Sequence, residues 1–144
     1  MHVAAILKVK GRNVVTTSAD KSLLDVAKLL EQNDIGCIVI EGDDGQVAGI
    51  VSERDLVRAM VDHGLGLLEM AVGDLMTRDV RTCGPEDDIE DVMDTMTNGR
   101  FRHMPVLVDG RLAGVVSIGD LVKHRMRELV DETKALREYV TDYR

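Results

Sequence analysis

The sequence predicts an α+β fold built of two β-α-β-β-α repeats, with a long helix at its C-terminal end. Three observations carry that expectation. The string GIVSERDL at residues 49–56 returns as GVVSIGDL at 114–121, with five of eight positions identical and a spacing of 65 residues. Upstream, VVTTSAD at 14–20 answers to VRTCGPE at 80–86 at a spacing of 66. The hydrophobic period also switches between strand-like and helix-like in the same order in both copies. Residues 1–76 are read as the first repeat with a lead-in, and 77–144 as the second repeat with the C-terminal helix.

Each element follows from local chemistry. A short β segment ends at Thr16 in one copy and at Thr82 in the other. Leu23, Val26, Ala27 and Leu30 then recur at helical spacing, as do Ile89, Val92, Met93 and Met96. The runs GCIVIE (36–41) and RHMPVLV (102–108) read as strands, each followed by a turn. Asp109-Gly110 is a strong hairpin signal. The first turn, GDDGQ, is one residue longer than VDGR, which absorbs the change in spacing from 66 to 65. The second strands, VAGIVS and LAGVVS, run into helices that start just after Ser52 and Ser117. The connector HGLGLLEMAVGDLMTRD reads as a helix exit, a short helix or turn, and entry into the second repeat. From Gly119 to the end there is no proline and no internal glycine. Val122, Met126, Leu129, Thr133, Leu136 and Val140 make a heptad-like stripe there, which suits packing on its own domain or, by slight preference, an oligomer contact. A unit of roughly 50–60 residues cannot bury both faces alone, so the two repeats should stack on each other.

Composition narrows the function. With 44% hydrophobic and 31% charged residues and a mean hydropathy of −0.05, the chain reads as globular, and charges interrupt every apolar run before a membrane span is reached. The start, MHVAAILKVKGR, lacks a sustained apolar signal region. A net charge of −8, with two Tyr, one Phe and no Trp, disfavours nucleic acid as a partner. Cys37 and Cys83 stand apart, and no Cys/His cluster has zinc spacing, so a reducing cytoplasm and no metal are expected. His2, His63 and His124 are scattered and are expected in solvent, and the eight methionines read as core filler.

The doubled motif Ser52-x-x-Asp55 and Ser117-x-x-Asp120 has two readings. In one it is a capping box, the Ser hydroxyl and the acid satisfying free backbone N–H groups at a helix start. In the other the helix N-terminus seats a phosphate, the Ser adds a donor, and the carboxylate accepts ribose hydroxyls. The neighbouring β runs would offer an apolar slot for a flat base.

With GDLMTRDV leading into the second copy and Lys10-Gly11 preceding the first, the doubled G-h-h-S-x-x-D-L pattern resembles a tandem pair of cystathionine-β-synthase (CBS) domains of the stand-alone bacterial type. That resemblance implies a disc-like module in which the repeats meet through their sheets about a pseudo-twofold axis, with two clefts between them and a tendency to form homodimers. It implies adenosine-containing ligands: AMP, ADP, ATP, NAD(H) or S-adenosylmethionine. Carried over by position, Asp55 and Asp120 would hold ribose hydroxyls, Ser52 and Ser117 would approach phosphate, and Thr16 and Thr82 would line the clefts. Arg54 matches a frequent basic residue whose counterpart here is Gly119, so the clefts should not be equivalent. Arg102, His103 and Pro105, at the start of a central strand, are further candidates, as is Lys10, which could neutralise a phosphate or simply be solvated.

The expected function is therefore an energy-sensing regulatory module that binds an adenosine ligand without catalysis and is read by a separate effector protein. The alternative is a structural or dimerisation module with a vestigial site. An enzyme is disfavoured: the sequence shows no nucleophile–base pair, phosphate-binding loop or metal cluster.

Overall fold

A computed structural model describes residues 1–11 and 14–142. It opens with a helix absent from the sequence-based expectation, α1 (Val3–Lys10). Eight residues are too few for a stable isolated helix, so α1 depends on tertiary packing. Val3, Ile6 and Leu7 form its buried face and join Ile89, Val92, Met96, Met104, Val106, Val116 and Leu121 in one core. Gly114 makes room for it, since a Cβ there would lie 2.5 Å from Leu7 Cδ2. The first N–H groups of α1 find partners outside the helix: Val3 donates to the Asp87 carbonyl (3.0 Å) and Ala4 to that of Pro85 (2.8 Å). Although α1 precedes the first repeat in the chain, it completes the core of the second.

The first repeat comprises β1 (Thr16–Ser18), α2 (Leu23–Asn33), β2 (Cys37–Glu41), β3 (Val47–Ser52) and α3 (Glu53–His63). Its three-stranded sheet has the order β1-β2-β3, with β1 parallel and β3 antiparallel to β2. Ser22 caps α2 by accepting from the Asp25 N–H. Leu23, Val26, Leu30, Ile38, Ile40 and Val51 form a second core, closed by Leu67 and Val72 from two 3-10 turns in the connector. Residues 37–40 of β2 are all buried, as expected for a strand covered on both faces.

The second repeat comprises α4 (Ile89–Gly99), β4 (His103–Val108), β5 (Arg111–Ser117) and α5 (Ile118–Asp142). Asp109 and Gly110 both have positive φ (51° and 77°), as a primed hairpin turn requires. The β segment expected to end at Thr82 is reduced to an isolated parallel bridge between Cys83 and Val106. Gly84-Pro85 follows at once and ends the extended run, whereas β1 starts rather than ends at Thr16 and pairs through Ser18. On α5, Leu121 and His124 are buried, so His124 belongs to the packed face and not to solvent. Most of the stripe lies open: Met126, Leu129, Leu136 and Val140 are exposed. Tyr143 and Arg144 of the expected helical run lie outside the described residues.

Matched hydrogen bonds tie each junction to its own sheet. The Glu53 N–H donates to the Gly36 carbonyl (3.0 Å), and the Ile118 N–H to that of Arg102 (2.8 Å). The repeats meet there: a Cβ on Gly36 would lie 3.3 Å from His103 Nε2.

Because α1 is a plug in the second core, Ile6→Ala should destabilise the fold by about 2–5 kcal/mol. Val9→Ala on the same helix, at a side chain 71% exposed, should change stability by no more than about 0.5 kcal/mol. Urea unfolding midpoints of the two variants check this contrast.

Candidate functional site

At the end of β3 the chain must turn into α3, leaving the first N–H groups of the helix without backbone partners. Ser52 and Asp55 satisfy two of these groups as a capping box. The Asp55 N–H donates to Ser52 Oγ (3.3 Å) and the Ser52 N–H to Asp55 Oδ2 (2.9 Å). Ser117 and Asp120 repeat the arrangement at 3.1 and 2.9 Å. Both copies of the motif therefore cap helices.

Their surroundings differ. Beside Ser52 and Asp55 lies a cleft of about 450 Å³. Its floor includes Gly36, Cys37 and Ile50, and α3 contributes Glu53, Arg54 and Arg58. The segment entering the second repeat brings Thr77, Asp79, Val80 and Arg81, and the approach to β4 brings Arg100, Phe101, Arg102 and His103. Backbone pairing explains how residue 77 arrives there. The Thr77 N–H donates to the Ile50 carbonyl (2.9 Å), and the Ile50 N–H to that of Thr77 (3.0 Å).

Val115 is the counterpart of Ile50 in the second repeat, and its carbonyl has a different partner. Lys10 Nζ donates to it at 2.9 Å and to Asp120 Oδ2 at 2.7 Å. The ammonium at the end of α1 thus sits on the second junction, joined to a carboxylate 110 residues away. Asp55 Oδ1 and Asp120 Oδ1 both lack a hydrogen-bond partner among the described residues; what the first junction lacks is an ammonium on its carboxylate.

Of the residues singled out from sequence, Ser52, Arg54, Asp55, Arg102 and His103 meet on the cleft. Lys10, Ser117 and Asp120 form the other cluster. Thr16, Thr82 and Pro105 lie outside the cleft lining: Thr16 pairs with Val39 in the sheet, Thr82 is exposed, and Pro105 is buried within β4. Sequence reading missed Arg58, Thr77, Asp79, Arg81 and Arg100. Arg58 stands one helical turn after Arg54, a legible spacing. Arg81 and Arg100 carried no signal, because the first lies outside regular structure and the second at a left-handed helix end with φ 58°.

Burial, reinforced by nearby Lys10, holds the His103 pKa below its ordinary value, so the ring is neutral at neutral pH. Burial pushes the Cys37 thiol up to about 12, which keeps it protonated as a wall of the cleft. Burial alone would raise Asp120. The hydrogen bonds from Lys10 and from the Ser117 N–H outweigh it and hold that carboxyl below the usual range. Among the described residues, no group of three or more His, Cys, Asp or Glu side chains is placed to hold a metal ion, and no helix is long and apolar enough to cross a membrane.

Comparison with known proteins adds to this geometry. The family model for the CBS domain matches residues 7–62 and again 72–127. The chain is 32% identical over 146 residues to the mitochondrial CBS domain-containing protein CBSX3 of Arabidopsis thaliana, an alignment spanning 96% of this chain and 71% of the relative. Its structure resembles that of the CBS-domain containing protein ATU1752 from Agrobacterium tumefaciens, with a TM-score of 0.84 and 44% identity over 87% of this chain and 99% of that one. It also resembles the CBS domain protein PAE2072 from Pyrobaculum aerophilum, solved in complex with AMP, with a TM-score of 0.74 and 25% identity over 83% and 89% of the two chains.

The Lys10–Asp120 contact has a pH signature. A carboxyl whose pKa is depressed by folding contributes stability above its unfolded value, about 3.9, and loses that contribution as pH falls through the folded value. Lys10→Met should therefore be less stable than the parent at pH 7, and the difference should shrink as the solution is acidified below about pH 4. Urea titrations across that range measure it.

Proposed function

The chain belongs to the CBS domain family, and on that premise we propose that it is a regulatory module that senses an adenosine-containing ligand by binding it, without chemistry. The ligand occupies the cleft at Ser52 and Asp55. The observation that carries this reading is a carboxylate fixed by its capping duty, with its second oxygen unpaired beside a cavity of about 450 Å³. Asp55 Oδ1 accepts from a ribose hydroxyl. The first turn of α3, with its partial positive charge, faces phosphate. Cys37, Ile50, Val80 and Phe101 provide apolar surface for the base. The AMP complex of the similar PAE2072 supports the same ligand class, and AMP, ADP, ATP, NAD(H) and S-adenosylmethionine are the candidates.

The second junction is the weaker site, because the Lys10 ammonium already sets a counter-charge on Asp120 through Oδ2, so its remaining oxygen is a poorer acceptor for a ribose hydroxyl. This is the one observation favouring a partly vestigial module, and it applies to one cleft only.

Transmission runs through the helices that the junctions start. On α3, Val57, Met60 and Val61 are exposed, and on α5 Met126, Leu129, Val130, Leu136 and Val140 are exposed as well. These apolar stripes suit a second copy of the chain. In this reading the module works as a cytoplasmic homodimer whose geometry changes with ligand and is read by an effector protein.

Two outcomes test the proposal. Asp55→Ala should weaken nucleotide binding by about 10- to 150-fold, and Asp120→Ala should weaken it far less; calorimetric titration with circular dichroism as a folding control checks both. Sedimentation should show a dimer that Leu129→Glu combined with Leu136→Glu disrupts. A monomer for the unsubstituted chain at high concentration removes the homodimer from the reading.

A further inference from the structure

Five arginines reach the cleft: Arg54, Arg58, Arg81, Arg100 and Arg102. None of their guanidinium groups makes a hydrogen bond or ion pair among the described residues. Elsewhere among the described residues three Lys or Arg side chains find partners and eight do not, so what sets the five apart is their gathering at one concave site. Arg125 pairs with Glu90 and Glu128, Arg78 donates to the Gly73 carbonyl, and Lys10 holds Asp120. With 26 acidic residues against 18 basic ones, carboxylates are not scarce in the chain. Against the five guanidinium groups the cleft sets three carboxylates, Glu53, Asp55 and Asp79. A chain of net charge −8 thus carries a local surplus of two positive charges at one concave site. Like charges in excess of their counter-charges repel one another, and a cleft focuses their field on whatever enters it.

A single phosphate dianion already balances a surplus of two charges, but five guanidinium forks outnumber what its three terminal oxygens can engage. A guanidinium fork matches phosphate oxygens two at a time, so forks from three different segments can engage successive phosphates of one chain. S-adenosylmethionine carries a sulfonium and an ammonium against one carboxylate, a net positive charge that adds to the repulsion. Concavity favours a small ligand over a nucleic acid, whose backbone needs an extended basic track.

Resting on the adenosine-ligand reading of this cleft, we infer that its arginine cluster selects adenosine ligands carrying a pyrophosphate or a longer phosphate chain, and rejects S-adenosylmethionine. The cluster is a specificity device, and Asp55 recognises the part common to all the candidates.

The test is calorimetric titration of the full chain, without divalent metal, with adenosine, AMP, ADP, S-adenosylmethionine and inorganic pyrophosphate. ADP should bind about tenfold or more tightly than AMP, its affinity should fall steeply with added salt, and S-adenosylmethionine should show no heat at millimolar concentration. The exposed pair Arg58→Gln and Arg81→Gln, checked for folding by circular dichroism, should collapse the ADP-to-AMP ratio towards one. Adenosine, AMP or S-adenosylmethionine binding as tightly as ADP overturns the inference while leaving the adenosine reading in place. Pyrophosphate binding as tightly as ADP overturns the adenosine reading and keeps the anion preference. An unchanged ratio in the double variant removes the role of Arg58 and Arg81.

Discussion

A helix cannot begin without leaving N–H groups unpaired, and the site depends on how this chain resolves that constraint where strand becomes helix. Ser52 and Asp55 satisfy two of these groups reciprocally, and Ser117 and Asp120 do the same 65 residues later. The box holds the Asp55 side chain still, through a bond between its Oδ2 and the Ser52 backbone. A carboxylate held in that way by one oxygen presents the other with little further loss of conformational freedom. Capping and ligand recognition, which look like rival readings of S-x-x-D, are compatible uses of the two oxygens of one group.

The repeat is symmetric in its caps and asymmetric in what approaches them. At the first junction the edge carbonyl of Ile50 pairs with the Thr77 backbone, which carries Asp79 and Arg81 to the cleft. At the second, the equivalent carbonyl of Val115 is taken by the Lys10 ammonium, which also pairs with Asp120 Oδ2. The difference traces to α1, which packs into the second core and ends on the lysine. One packing decision therefore supplies missing core to one repeat and a counter-charge to its junction, and it leaves the other junction open.

The charge of the open cleft is also insensitive to pH near neutrality. Its positive groups are guanidiniums, which stay protonated. Burial also disfavours charge on two other groups of the lining: it holds the His103 pKa below its ordinary value and pushes the Cys37 thiol up to about 12.

Much of this was legible in the sequence because it is local. Helical and strand periods, the Asp109-Gly110 turn with both φ values positive, and Ser and Asp three residues apart at a helix start express preferences of adjacent residues. The duplication ordered those elements, and its doubled motif named Asp55 and Ser52. What the sequence did not contain in readable form were relations between distant segments. The helix α1 is too short to announce itself and exists because the second core has a groove at Gly114. The strand expected at Thr82 shrank to a single bridge because Gly84-Pro85 ended it. The pairing of Lys10 with Asp120 and the arrival of Arg81 and Arg100 at the cleft that Asp55 lines come from stacking two small cores. Backbone preferences act over a few residues, whereas the charge a site feels is set by whatever the packed core brings within a few ångströms of it.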